Sequence, residues 1–122
     1  MIMPAFEHRI ETDVHVLTPK RNLVGGQETV TLASAIAAFD DPEALKVVLD
    51  LRRIDWVSSL GVEELRRIHY TCTERNGWMR LANAGERISN IILTMRLDWV
   101  FDTFDTVEEA VTAPQRNFRR AL

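Results

Sequence analysis

The stretch Val47-Val-Leu-Asp-Leu-Arg-Arg-Ile-Asp-Trp-Val-Ser-Ser-Leu-Gly-Val-Glu-Glu-Leu65 decides how the rest of the chain is read. It opens on the short run Val47-Val48-Leu49-Asp50-Leu51, which suits a strand covered on both faces, as parallel strands usually are. It closes on Val62 and Leu65 at helical spacing, continued by Ile68, His69 and Cys72. Glu63, Glu64, Arg66, Arg67 and Glu74 fall largely on other faces. Between strand and helix lies a tight connection carrying two hydroxyls. Ser58 or Ser59 can cap the helix by accepting a hydrogen bond from one of its free backbone N–H groups. A strand running straight into a helix is the repeating unit of an α/β sheet.

The alternation extends in both directions. Downstream, Asn76-Gly77 supplies the C-terminal stop of that helix. Trp78-Met79-Arg80-Leu81-Ala82 reads as a strand, and Ile88, Ile91, Ile92 and Met95 mark a third amphipathic helix. Val100-Phe101 and Phe104 make a last short strand. Thr106-x-x-Glu109 fits a capping box for a final helix, with Val107, Ala110 and Val111 facing inward. Upstream, Leu32, Ala35, Ile36 and Phe39 recur at helical spacing from Thr29 to Phe39, and Asp40-Asp41-Pro42 ends that helix. The first 20 residues read as extended, with Val14 and Val16 on one face and Asp13, His15 and Leu17 on the other. Pro19 stops that strand, Lys20-Arg21-Asn22 turns, Leu23-Val24 forms a short second strand, and Gly25-Gly26 breaks the chain. The expected order is β-β-α-β-α-β-α-β-α. This is a single α/β domain over residues 1–113, with strands near 13–17, 22–24, 46–51, 78–82 and 99–102 in a mixed four- to five-stranded sheet and about four helices. Residues 114–122 read as a basic tail.

Composition narrows the function classes. A chain of 122 residues holds one core of normal size, and 46% apolar with 27% charged residues is ordinary for a globular domain. The net charge is −3, and three of the 15 basic residues (Arg116, Arg119, Arg120) fall in the tail, so the body is more acidic still. That balance argues against general nucleic-acid binding, which rests on neutralising phosphates. The single Cys72 excludes an internal disulfide framework and most cysteine-based metal sites. No apolar run approaches the ~18 residues of a membrane span. Met1–Glu7 lacks the basic-then-apolar build of a signal peptide, so the expected location is cytoplasmic, without membrane insertion.

Catalytic signatures fail one after another. Gly25-Gly26 has no downstream GK[ST] and is not a phosphate-binding loop. Ser58 and Ser59 lack the flanking glycines of a nucleophile elbow, and no histidine lies near them in sequence. His8, His15 and His69 are scattered without ligand spacing; Asp13 and His15, on one strand face, come nearest to a metal pair. His69 reads as a hydrogen-bonded core histidine and Cys72 as a small core hydrophobe. Glu63 and Glu64 diverge by about 100° on a helix and read as a solvated first turn favoured by the helix dipole, not as an acid/base pair. No catalytic residue, metal or cofactor is expected.

The ordered set of motifs resembles the STAS domains, the fold of bacterial anti-sigma-factor antagonists. Their pattern is an apolar strand ending in Asp-Leu, a short turn, then Asp-Ser-Ser/Thr-Gly-Leu or Ser-Ser-Ala-Gly-Leu opening a helix. Here it reads Val47–Leu51, Ile54-Asp55-Trp56-Val57, then Ser58-Ser59-Leu60-Gly61-Val62. The likeness continues through Gly77–Leu81 and Leu97–Ala110, where the family commonly ends in Phe-Asp-Ser-x-Glu-Glu-Ala. It covers residues 44–112 well and the first 43 in outline. The resemblance implies a non-enzymatic binding module of transcription regulation, phosphorylated on Ser59, with Ser58 as the other candidate, by an anti-sigma factor that is itself a serine kinase. It implies that the unphosphorylated form binds this partner and that phosphate breaks the complex. The expected partner surface is Gly25-Gly26, Ser58-Ser59-Leu60-Gly61-Val62 and Asn83-Ala84, since loops leaving the C-terminal ends of parallel strands converge where partners dock. Gly61 would let a partner backbone come close. Neither nucleic acid nor a membrane is an expected partner, and a homodimer is left open. A second reading is a STAS scaffold in a stressosome-like assembly or a lipid-transport ABC complex, with the same face as a permanent interface. A third is an enzyme or an anion- or nucleotide-binding module.

Overall fold

The computed structural model describes residues 5–115. Of the expected tail, Arg116, Arg119 and Arg120 lie outside these residues. The elements run β1 (Phe6–Glu11), β2 (Val14–Pro19), α1 (Gln27–Ala37), β3 (Lys46–Asp50), α2 (Ser59–Glu74), β4 (Trp78–Ala82), α3 (Glu86–Thr94), β5 (Asp102–Phe104) and α4 (Val107–Thr112). The five strands lie side by side in sequence order. β1 pairs antiparallel with β2, and every later pair is parallel, so the sheet is mixed and the fold is α/β as expected.

Strand alternation builds a core on each face of the sheet. Leu17, Val47, Leu49 and Leu81 point to the larger one, which they share with Leu32 and Ile36 of α1, Val62, Leu65, Ile68 and Cys72 of α2, and Ile88 and Ile92 of α3. Val14, Val16, Val48 and Ala82 point to the smaller one, closed by Val107 and Ala110 of α4. β3 is thus buried on both faces, which is why its sequence shows no polar alternation.

Two strands stand elsewhere than expected. The first pairing is a hairpin of β1 and β2, and Leu23-Val24 is no strand: Leu23 makes only an isolated parallel bridge to Val57. The hairpin turns through Thr12-Asp13 with Thr12 at φ 59°, a left-handed conformation that ordinarily calls for Gly or Asn. No turn signature therefore marks it in the sequence. β1 is an edge strand, and Glu7, Arg9 and Glu11 leave it without a buried-strand pattern. The last strand is Asp102–Phe104 in place of 99–102. Val100 and Phe101 close tight turns onto the Leu97 carbonyl, and Phe101, 1% exposed, is a plug of the larger core.

Candidate functional site

Three connections meet at the C-terminal ends of the parallel strands. The one after β2 approaches α2 through Leu23, whose carbonyl accepts the Ser58 N–H at 2.9 Å. The one after β3 is held by the Asn22 side chain, whose Oδ1 accepts the N–H groups of Asp55 and Trp56 at 3.1 and 3.3 Å. The one after β4 is tied in by Asn83, whose amide donates to Oδ1 of the fully buried Asp50 at 2.9 Å. Arg87 at the start of α3 lies 3.6 Å from Asp55, closing the cluster from the other side.

The two serines divide their roles. Ser58 is the N-cap of α2, with extended backbone and Oγ accepting the Gly61 N–H at 3.0 Å. Ser59 is the first helical residue and is exposed. Beside it Leu60 is 64% exposed, and Val24, at 40%, and Trp56, at 37%, add apolar surface from the neighbouring loops. Gly25, at φ 84°, packs so closely that a Cβ there would stand 2.7 Å from the Leu60 Cβ. Gly25, Gly26, Ser58, Ser59 and Leu60 are therefore brought together at the surface.

Other expected contact residues serve the fold. Gly61 and Val62 are buried, and a Cβ on Gly61 would overlap the Leu23 carbonyl oxygen. The close approach that Gly61 permits is internal, between α2 and the Leu23 segment, which corrects the expectation that it admits a partner backbone. Asn83 and Ala84 are half-buried; Asn83 is committed to Asp50, and Ala84 packs on the larger core. Glu63 and Glu64 lie beyond the first turn of α2 and pair with Arg66 at 3.5 Å and Arg67 at 3.3 Å. The solvated first turn expected of them is thus a ladder of i,i+3 pairs, and the acidity of this face is partly offset.

Val24, Trp56, Asn22 and Glu28 also shape this surface, beyond the residues that the motif marks. A tryptophan in the polar turn between strand and helix is the signal in the sequence for Trp56. The others follow from how the loops cross, which local patterning does not encode. Cys72 is fully buried, and burial pushes its thiol up to about 12, so no thiolate forms at neutral pH. Asp13 pairs with Lys46 at 3.0 Å, and His15 sits between His8 and Asp41 on the larger-core side of the sheet. His69 is half-exposed and meets the Phe101 ring edge-on.

A profile of the STAS domain matches residues 6–110. No curated protein matches the sequence. Several solved structures share the fold. A Thermotoga maritima protein provisionally assigned as an anti-sigma factor antagonist superposes with TM-score 0.78 at 19% identity, covering 91% of this chain and 95% of that one. A sulfate transporter family protein from Wolinella succinogenes gives 0.72 at 14% identity, over 84% of each chain. The anti-sigma factor antagonist SpoIIAA, in its unphosphorylated form, gives 0.66 at 16% identity, over 88% of this chain and 94% of that one. With the profile spanning both the sheet and the Ser58-Ser59 connection, the chain belongs to the STAS domain family.

Proposed function

We propose that this chain is an anti-sigma-factor antagonist that binds an anti-sigma serine kinase and is switched by phosphorylation of Ser59. The observation that carries this reading is the division of labour between the serines: Ser58 makes the cap, and Ser59 stands exposed on the first turn beside Leu60 and Val24. Phosphoryl transfer to Ser58 would have to occur at the half-buried oxygen already engaged with the Gly61 N–H. On Ser59 a phosphoryl group would leave that bond intact and stand at a helix N-terminus, where the backbone dipole tolerates negative charge.

The same geometry gives the switch its direction. Leu60, Val24 and Trp56 offer apolar surface that a protein partner can bury, and Ser59 is the exposed residue next to Leu60. Phosphate adds about −1.5 to −2 charge there, which a partner must desolvate or repel. The domain itself needs no catalytic group for this. Incubating the chain with ATP and an anti-sigma kinase of the histidine-kinase-like ATPase type, then locating phosphate by mass spectrometry, tests the assignment. Phosphate should appear on Ser59 in the wild type, persist in Ser58→Ala and vanish in Ser59→Ala. Phosphate confined to Ser58 would overturn it.

The likeness to a sulfate transporter family protein favours a second reading, a scaffold whose surface around Leu60 is a permanent interface. Under that reading the Ser59 hydroxyl stays unmodified and the partner is insensitive to charge at that position.

A further inference from the structure

The loop between Leu23 and α1 is held by side chains. Leu23 is tied by its backbone to Val57 and Ser58, and the Gly26 carbonyl opens the helix by accepting the Thr29 and Val30 N–H groups. The three consecutive N–H groups between these anchors all end on the first turn of α1. Val24 N–H and Gly26 N–H donate to Oε1 of Glu28 at 3.1 and 3.3 Å, and Gly25 N–H donates to Oγ1 of Thr29 at 3.1 Å. The Thr29 hydroxyl, fully buried, donates in turn to the same Glu28 oxygen at 3.3 Å. The Val24 and Gly26 N–H groups thus converge on one carboxylate oxygen, much as a backbone nest holds an anion, while the Gly25 N–H between them is taken by the Thr29 hydroxyl. The N-cap residue Gly26 has no side chain to do this work.

We propose that Glu28 is the positioning residue of the partner surface: its carboxylate fixes Val24–Gly26 against Leu60, and so sets the apolar contact area beside Ser59. Its part in binding rests on the function proposed above. The geometry requires an acceptor oxygen at this point, and the Glu28 carboxylate supplies it. Burial alone would raise the Glu28 carboxyl, but hydrogen bonds from the backbone N–H groups of Glu28, Val24 and Gly26 outweigh it and hold the group below its ordinary value. Because these donors are already taken, they do not neutralise a phosphate on Ser59.

Amide hydrogen exchange on the whole chain, compared among wild type, Glu28→Ala and Glu28→Gln, tests this directly. Losing a charged acceptor shared by two amides should speed exchange at Val24–Gly26 about tenfold in Glu28→Ala, with the core amides of β3 and β4 unchanged. Glu28→Gln keeps Oε1 as an acceptor and should restore most of the protection. Unchanged exchange in the loop, or equal acceleration through β3 and β4, would overturn the proposal. Titration against the same anti-sigma kinase should show weaker binding by Glu28→Ala and recovery by Glu28→Gln. Equal binding by wild type and a loosened Glu28→Ala would also overturn it. If the wild type binds no such kinase, the function above is what fails, and the exchange comparison still decides the role of Glu28.

Discussion

Gly61 lies in regular helix, yet its missing side chain is what lets α2 cross the Leu23 carbonyl. A methyl group there meets backbone, which cannot swing aside as a side chain would. Gly61→Ala should therefore destabilise the fold by at least about 2 kcal/mol and separate the Leu23 segment from Ser58. Denaturant melts read the first effect, and exchange of the Ser58 amide reads the second. A different residue-scale balance operates at His8. Its Nε2 lies 2.9 Å from Nδ1 of His15, whose Nε2 reaches the Asp41 carboxylate at 2.7 Å, while the Phe39 ring stacks on His15 at 3.9 Å. One proton lies between the two imidazoles, and a further proton taken up by His8 binds its other ring nitrogen. Burial, then the neighbouring His15, lower the His8 pKa against the opposing pull of Asp41. The unfolded chain thus takes up this proton first as pH falls below about 6.5. The associated stability is present above that value and lost as pH drops through the lower folded-state pKa. His8→Phe should flatten the fall in melting temperature between pH 7.5 and pH 5; an unchanged slope would place the acid sensitivity elsewhere.

At the scale of elements, α4 is six residues long and depends on a cation from the sheet. Arg80, 2% exposed, stacks over the Trp78 ring at 3.8 Å and donates to the carbonyls of Ala110 and Ala113 at 2.8 Å and of Pro114 at 3.3 Å. Its charge lies at the negative end of the helix. Arg80→Leu should cost about 2 kcal/mol and loosen α4 first, seen as faster amide exchange at Ala110 and Ala113 ahead of the core. The sequence marked this helix at its start: Thr106 Oγ1 accepts the Glu109 N–H at 3.1 Å, as the capping box requires. Nothing local marked Arg80 as its anchor, because the two are joined only once β4 lies under α4. The stop of α2 was also legible, with one exchange of roles. Asn76 takes the left-handed conformation, and Gly77 is needed because a Cβ would overlap the Leu45 carbonyl. β3, α2, β4 and α3 could be read from periodicity because each carries its own apolar pattern. β1 could not, since an exposed edge strand need not alternate and its turn is strained.

For the molecule as a whole, the sheet order brings the connections after β2, β3 and β4 to one end, and this was foreseeable from alternation alone. The serines, Leu60 and the paired glycines could therefore be placed together from sequence. Which of them face outward could not, because that depends on the Leu23 segment crossing α2 and on Asn83 turning inward to Asp50. In the proposed switch, charge at Ser59 sets partner affinity on an otherwise unchanged fold. Calorimetric titration of Ser59→Ala and Ser59→Asp against the anti-sigma kinase, with melting curves for both variants, tests it most directly. Ser59→Ala should bind tightly whether or not ATP is present, Ser59→Asp at least about tenfold more weakly, and both should melt close to wild type, since Ser58 keeps the cap. Equal affinity of the two variants would contradict it.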